Sequence, residues 1–140
     1  MGNRIKPSAN DPADWIESAA RDHPDELFLK TPMGGELTYA SLHQRSGRVA
    51  AALMRRGVAP GDRVAAQVDK STDAVVLYVT CLRMGAVFVP INVANTPNEV
   101  DYFWRDSEPK IAVIRPADRA ILEPIAGKAG IHLETLGAEE

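Results

Sequence analysis

The sequence predicts an α/β fold, a layered and mostly parallel sheet flanked by helices, on three observations. Short apolar runs of strand length alternate with stretches of helical period. The turns between them are brief and marked by glycine and proline. One run, "AVFVPI", is apolar at every position, as in a parallel strand covered on both faces. Alternation with short connections implies right-handed crossovers between parallel strands.

Taken in order, residues 1–13 are polar and rich in proline and asparagine and read as a loosely held arm. "DWIESAARDHP" follows as a short helix with Trp15, Ile16 and Ala19 on its inward side and Pro24 beyond its end. "LFLKTPMGGELTY" is a small hairpin turning at Gly34-Gly35. Thr38 then stands as an N-cap with Leu37 before it and Leu42 at the fourth helical position, the spacing of a hydrophobic staple. Leu42, Val49 and Leu53 form that helix's inward stripe, and Gly57 ends it.

"PGD" turns the chain into a strand over Arg63 to Val68. Asp73 to Arg83 is apolar nearly all round and predicts a central, heavily covered helix, broken by Gly85 before the strand "AVFVPI". In "TPNEV", Thr96 is an N-cap, Pro97 the first helical residue and Glu99 the third, so a capping box accounts for Glu99 without any chemistry. This helix, to about Asp106, is expected to bury Val100, Phe103 and Trp104. "IAVI" is the third strand. Pro116 to about Lys128 is a helix with Ile121, Leu122 and Ile125 inward and a bend at Pro124, and "GIHLETL" is the fourth strand.

The 140 residues suit one domain, with 45% apolar and 25% charged side chains, a globular composition. A formal charge of −3 gives no electrostatic reason for a nucleic-acid or anionic-membrane partner. No apolar run reaches the roughly 20 residues of a membrane span, and no secretory signal opens the chain. Cys81 has no cysteine to pair with, which fits a reducing compartment; the expected location is the cytoplasm.

Searching for chemistry yields no site. "RRGVAPGDR" and "RMGAVFVP" lack the glycine spacing that brings backbone amides to a phosphate. His23, His43 and His132 are scattered, and with one cysteine they form no zinc pattern. Ser41, Ser46, Ser71 and Ser107 stand in no nucleophile motif. "VDKSTD" around Lys70 is of more interest, because it leaves a strand at the end where parallel sheets bind ligands, but Ser71 or Thr72 as a helix cap with Lys70 solvated is the favoured reading over catalysis. Asn92 and Asn95 in "PINVANTP" can shape a loop through backbone hydrogen bonds or touch a ligand. Asp101, Asp106 and Glu108 are acidic, yet Asp101 with Arg105 is an i,i+4 surface pair. The expectation is that no catalytic, cofactor-binding or metal-binding residue lies in this chain.

Four segments, "LTYASL", "GVAPGDRVAAQVDKS", "LYVTCLRMGAVFVPIN" and "DSEPKIAVI", occur in an order and spacing that resemble the amino-terminal part of the adenylate-forming acyl-CoA synthetases, the AMP-binding family. The likeness covers Asp14 to Leu136, so residues 14–136 would be an incomplete amino-terminal α/β subdomain and 137–140 a polar boundary. "PINVANTPNEVDYFWRDSEPKIAV" and "HLETLG" look most like the bacterial malonyl-CoA synthetase branch.

The resemblance implies an enzyme that joins a carboxylic acid, here malonate, to coenzyme A. ATP and magnesium would serve an acyl-adenylate intermediate, with pyrophosphate and AMP released. The family's phosphate-binding loop, adenine and ribose contacts, substrate-selecting arginine and adenylation lysine have no counterparts here, and neither Lys70 nor Lys110 takes such a role. This chain alone is therefore expected to be inactive scaffold that partners the remainder of a synthetase. The alternatives are the same region of another acyl-CoA ligase or peptide-synthetase adenylation domain, or a non-catalytic α/β interaction protein.

Overall fold

The computed structural model of the protein describes residues 11–137. Residues 1–10 of the arm expected over 1–13, and residues 138–140 of the polar boundary expected over 137–140, lie outside these residues, whereas Pro12 and Ala13 belong to the first helix. Helix α1, Pro12–Asp22, starts ahead of Asp14 because the Asp11 carboxylate accepts from the Ala13 N–H at 2.9 Å and a proline opens the first turn. Trp15 is exposed while Ile16 packs inward, correcting the expectation that both face the core. Adjacent helical residues point about 100° apart, so a narrow contact face can take only one of them.

Strands β1, Leu27–Lys30, and β2, Glu36–Thr38, pair antiparallel. The turn between them needs a left-handed residue, and Gly34 supplies it at φ 85°. Helix α2, Tyr39–Arg55, has the cap and staple its sequence specifies: the Thr38 hydroxyl accepts from the Ser41 N–H at 3.2 Å, and Leu37 and Leu42 are fully buried. Past its end the N–H groups of Gly57 and Val58 return to the Met54 and Leu53 carbonyls.

The remaining elements are β3 (Arg63–Gln67), α3 (Thr72–Met84), β4 (Val87–Pro90), α4 (Pro97–Ser107), β5 (Ile111–Ile114), a 3-10 turn (Pro116–Asp118), α5 (Arg119–Ala129) and β6 (His132–Thr135). The four strands form one parallel sheet in the order β4-β3-β5-β6, with Ala65 of β3 level with Val89 of β4 and Ala112 of β5. Side chains alternate across it. Val64, Ala66, Ile111 and Val113 meet Leu53, Leu77 and Cys81 on the α2/α3 face, and Ala65, Ala112 and Ile114 meet Val100, Trp104, Leu122 and Ala126 on the α4/α5 face. The predicted three-layer α/β architecture is therefore the one observed.

Four details differ from expectation. β4 is an edge strand, not one covered on both faces; Val87 is 47% exposed, and Pro90 is tolerated there because an edge needs fewer backbone donors. α3 is not fully covered, with Tyr78 46% and Leu82 38% exposed. On α4 the buried aromatic is Trp104, at 1%, while Phe103 remains 39% exposed. Ile121 of α5 also faces outward, leaving Leu122 and Ala126 as that helix's buried contacts. Among the described residues no helix is long and apolar enough to cross a membrane.

Candidate functional site

In this sheet the connection after β3 leads outward to β4, whereas the connection after β5 leads the opposite way to β6. The carboxyl ends of adjacent β3 and β5 therefore flank a topological switch point, the place where open parallel sheets form a ligand crevice. Its walls are the segment 68–71 after β3, the segment 91–96 after β4, and the 3-10 turn after β5.

The side chains there are directed mainly at one another. Gln67, buried at the end of β3, donates from Nε2 to the Asn92 carbonyl at 2.9 Å and so ties the β3 exit to the next loop. The Asn92 side-chain oxygen accepts from the Ala94 N–H at 2.9 Å, and Asn95 Nδ2 donates to Glu99 Oε2 at 3.2 Å. Both asparagines thus shape the loop, the first of the two roles open to them from sequence. Ser71 accepts from the Ala74 N–H at 3.1 Å as the N-cap of α3, leaving Lys70 as the exposed cation of its loop.

Arg115 crosses the crevice. Its Nε donates to Asp118 Oδ2 at 2.7 Å and its Nη1 to Asp69 Oδ1 at 3.4 Å, linking the loops after β5 and β3. The Asp118 hydrogen bond, followed by the charges of Asp118 and Asp69, pushes the guanidinium further above its ordinary range despite some desolvation. Sequence reading missed Gln67, Asp69, Arg115 and Asp118 as a group. The only local signal is the i,i+3 spacing of Arg115 and Asp118, and nothing local ties either to residue 69.

The other candidates lie apart. Lys110 precedes β5 and packs beside Gly57 at the opposite end of the sheet from Lys70. His23 pairs with Glu26 at 3.2 Å; His132 meets Glu134 at 2.8 Å, where Arg56 also binds. Those two hydrogen bonds, His132 first, hold the Glu134 carboxyl below its ordinary range. The described residues contain no cluster of three potential metal-ligating side chains. Asp101 pairs with Arg105 at 3.0 Å, Ser46 hydrogen bonds to the Leu42 carbonyl at 2.6 Å, and Ser107 to the Phe103 carbonyl at 2.7 Å. A separate cleft of about 460 Å³ lies where α4 and α5 end, lined by Trp104, Arg105, Glu108, Pro109, Lys128 and Ile131. It is at the amino edge of the sheet, away from the switch point.

Residues 16–138 match the AMP-binding enzyme family. The crystal structure of apo MatB from Rhodopseudomonas palustris superposes with a TM-score of 0.82 at 44% identity, over 91% of this chain and 25% of that one. The phosphinothricin tripeptide synthetase PhsB of Streptomyces viridochromogenes is 30% identical over 128 residues, 91% of this chain and 11% of its own length. The fatty acid–[acyl-carrier-protein] ligase ScoC of Streptomyces coeruleorubidus is 36% identical over 104 residues, 74% of this chain and 20% of its own. This chain spans a quarter or less of each. It belongs to the AMP-binding enzyme family and corresponds to the amino-terminal part of the acyl-CoA synthetase fold.

Proposed function

We propose that the chain is the scaffold portion of an ATP-dependent acid–CoA ligase whose acid is malonate. The net reaction would convert ATP, malonate and coenzyme A to malonyl-CoA, AMP and pyrophosphate through an acyl-adenylate. The family match over residues 16–138 carries the ligase class, and the 44% identity to MatB, together with the "PINVANTPNEV" likeness, supports the malonyl branch.

The crevice residues do not fit ATP with magnesium. A polyphosphate needs uncompensated positive groups and aimed backbone amides, whereas Arg115 is already held by two carboxylates and Lys70 is a single exposed charge. No chemical step is therefore assigned to this chain. Its part is to fix loop positions at the carboxyl edge of the sheet, where misplacement by about 1 Å can cost a hundredfold in rate.

The test is pyrophosphate release with ATP, magnesium and coenzyme A, supplied with malonate, octanoate or an amino acid. The expected result is malonate-dependent release by a longer polypeptide carrying this sequence and none by the pure 140-residue chain. Turnover by the pure chain would overturn the scaffold assignment. Preference for octanoate or an amino acid would move the protein to the fatty-acid or peptide-synthetase branch represented by ScoC and PhsB.

A further inference from the structure

We propose that the cleft between the ends of α4 and α5 is a binding site for a small zwitterion with an apolar body, namely an α-amino acid with a hydrocarbon side chain. The cleft lies at the amino edge of the sheet, apart from the crevice, and its occupant does not depend on the ligase reading.

At about 460 Å³ the cleft falls within the range of small-molecule sites, roughly 300–1,000 Å³. Its buried wall is apolar and consists of the Trp104 ring, Pro109 and Ile131. Three polar groups in the lining lack partners. Trp104 is 1% exposed, and among the described residues its Nε1–H is the one buried side-chain donor without an acceptor. Such a group costs stability until something supplies its hydrogen bond. Glu108 ends α4 and Lys128 sits in the last turn of α5, and neither side chain belongs to an ion pair among the described residues.

Glu108 says most about the occupant. It is the C-cap of α4 at φ 47°, the only described non-glycine residue with a positive φ. Glycine would take that conformation without strain, and a carboxylate at the negative end of a helix is repelled by the last carbonyls. Arg63 donates to the Glu108 carbonyl at 2.8 Å rather than to its carboxylate, and Arg105 is bound to Asp101 at 3.0 Å. Local structure therefore gives no reason for an acid here, whereas a bound ammonium group would offset both the carboxylate and the helix end. On the α5 side, Lys128 can meet a carboxylate, for which the indole N–H is a second donor. A ligand with one charge would leave either Glu108 or Lys128 unpaired beside an apolar wall. Opposite charges on one small molecule, with a hydrocarbon body against Trp104, Pro109 and Ile131, satisfy all three groups together.

The experiment titrates L-leucine into the uniformly nitrogen-labelled 140-residue protein and follows its two tryptophan indole N–H signals by NMR. Trp104→Phe assigns the signals, and Trp15 on α1 is the internal control. The Trp104 signal is expected to move saturably, half-way at about 1 mM or below, while that of Trp15 stays in place. Isocaproate, which is leucine without its ammonium group, and isoamylamine, which is leucine without its carboxylate, are expected to bind at least about fivefold more weakly. Leucine should weaken by a similar factor on Glu108→Gln and on Lys128→Gln, two exposed changes that leave the core intact. A Trp104 signal that leucine does not move would overturn the proposal. So would isocaproate binding as well as leucine, which would make the cleft a plain anion site, or undiminished leucine binding by both variants. Loss of the response in the longer polypeptide carrying this sequence would show that the cleft is filled there, and would overturn it too. None of these readouts uses turnover, so leucine binding without malonate-dependent pyrophosphate release would sink the ligase reading alone.

Discussion

At Thr96 a single side chain sets where a helix begins. Its hydroxyl accepts from the Glu99 N–H at 3.3 Å while Glu99 Oε2 accepts from the Thr96 N–H at 2.7 Å. Thr96→Ala is expected to destabilise the protein by about 1 kcal/mol in urea unfolding, the usual cost of a lost N-cap. The backbone N–H of Thr96, and then the Asn95 amide, hold the Glu99 carboxyl below its ordinary range. A carboxylate with a depressed folded pKa stabilises the fold above its unfolded value, and that contribution disappears as pH falls through the folded value. Glu99→Gln should therefore flatten the acid limb of the stability curve, and an unchanged limb would contradict the assignment. Cys81 runs in the opposite sense. Burial raises its thiol from 9.0 to about 11, so its contribution is complete below pH 9 and is lost as pH rises through 11. Cys81→Ala should remove that alkaline loss, and in the native protein a disulfide reagent at pH 8 should reach the thiol only at the rate of unfolding.

The helices show which instructions are local and which are not. Caps and the Leu37–Leu42 staple were legible because donor and acceptor lie within a few residues. The faces of α3 and β4 were not, because a nearly all-apolar segment gives little phase to say which side meets the core. Tertiary anchors were equally hidden: Arg63 donates at 2.8 Å to the carbonyls of Ser107 and Glu108, closing the end of α4 from a strand 44 and 45 residues away. The crevice bridge from Arg115 to Asp69 spans 46 positions. Its absence from the sequence reading has the same cause. On α4 the choice of Trp104 over Phe103 as the buried ring leaves a buried indole N–H with no hydrogen-bond partner. Trp104→Phe removes that unsatisfied donor, worth about 1–3 kcal/mol, and roughly offsets the lost ring volume, so a net change within about 1 kcal/mol is expected. Trp104→Ala should cost about 3–5 kcal/mol. If Phe proved as costly as Ala in urea unfolding, the indole N–H would have to be making a hydrogen bond in solution.

Across the whole molecule, stability should fall away from the centre of the sheet. β5 is buried at every position and paired on both sides, and β3 is its neighbour in the same core. By contrast α1 contributes no fully buried residue, and β1 and β2 pair only with each other. Such contrasts in burial set the free energy of local opening, with poorly anchored ends opening far below the global limit. Native-state hydrogen exchange is therefore expected to be at least about 100-fold faster, after correction for intrinsic rates, at the hydrogen-bonded amides of α1 than at those of β5. The crevice loops after β3 and β5 leave these central strands directly, as the proposed scaffold role requires. Equal protection of α1 and β5 would mean that the first helix belongs to the same cooperative unit as the sheet, and that its modest packing on α2 and α3 is worth as much as the central core.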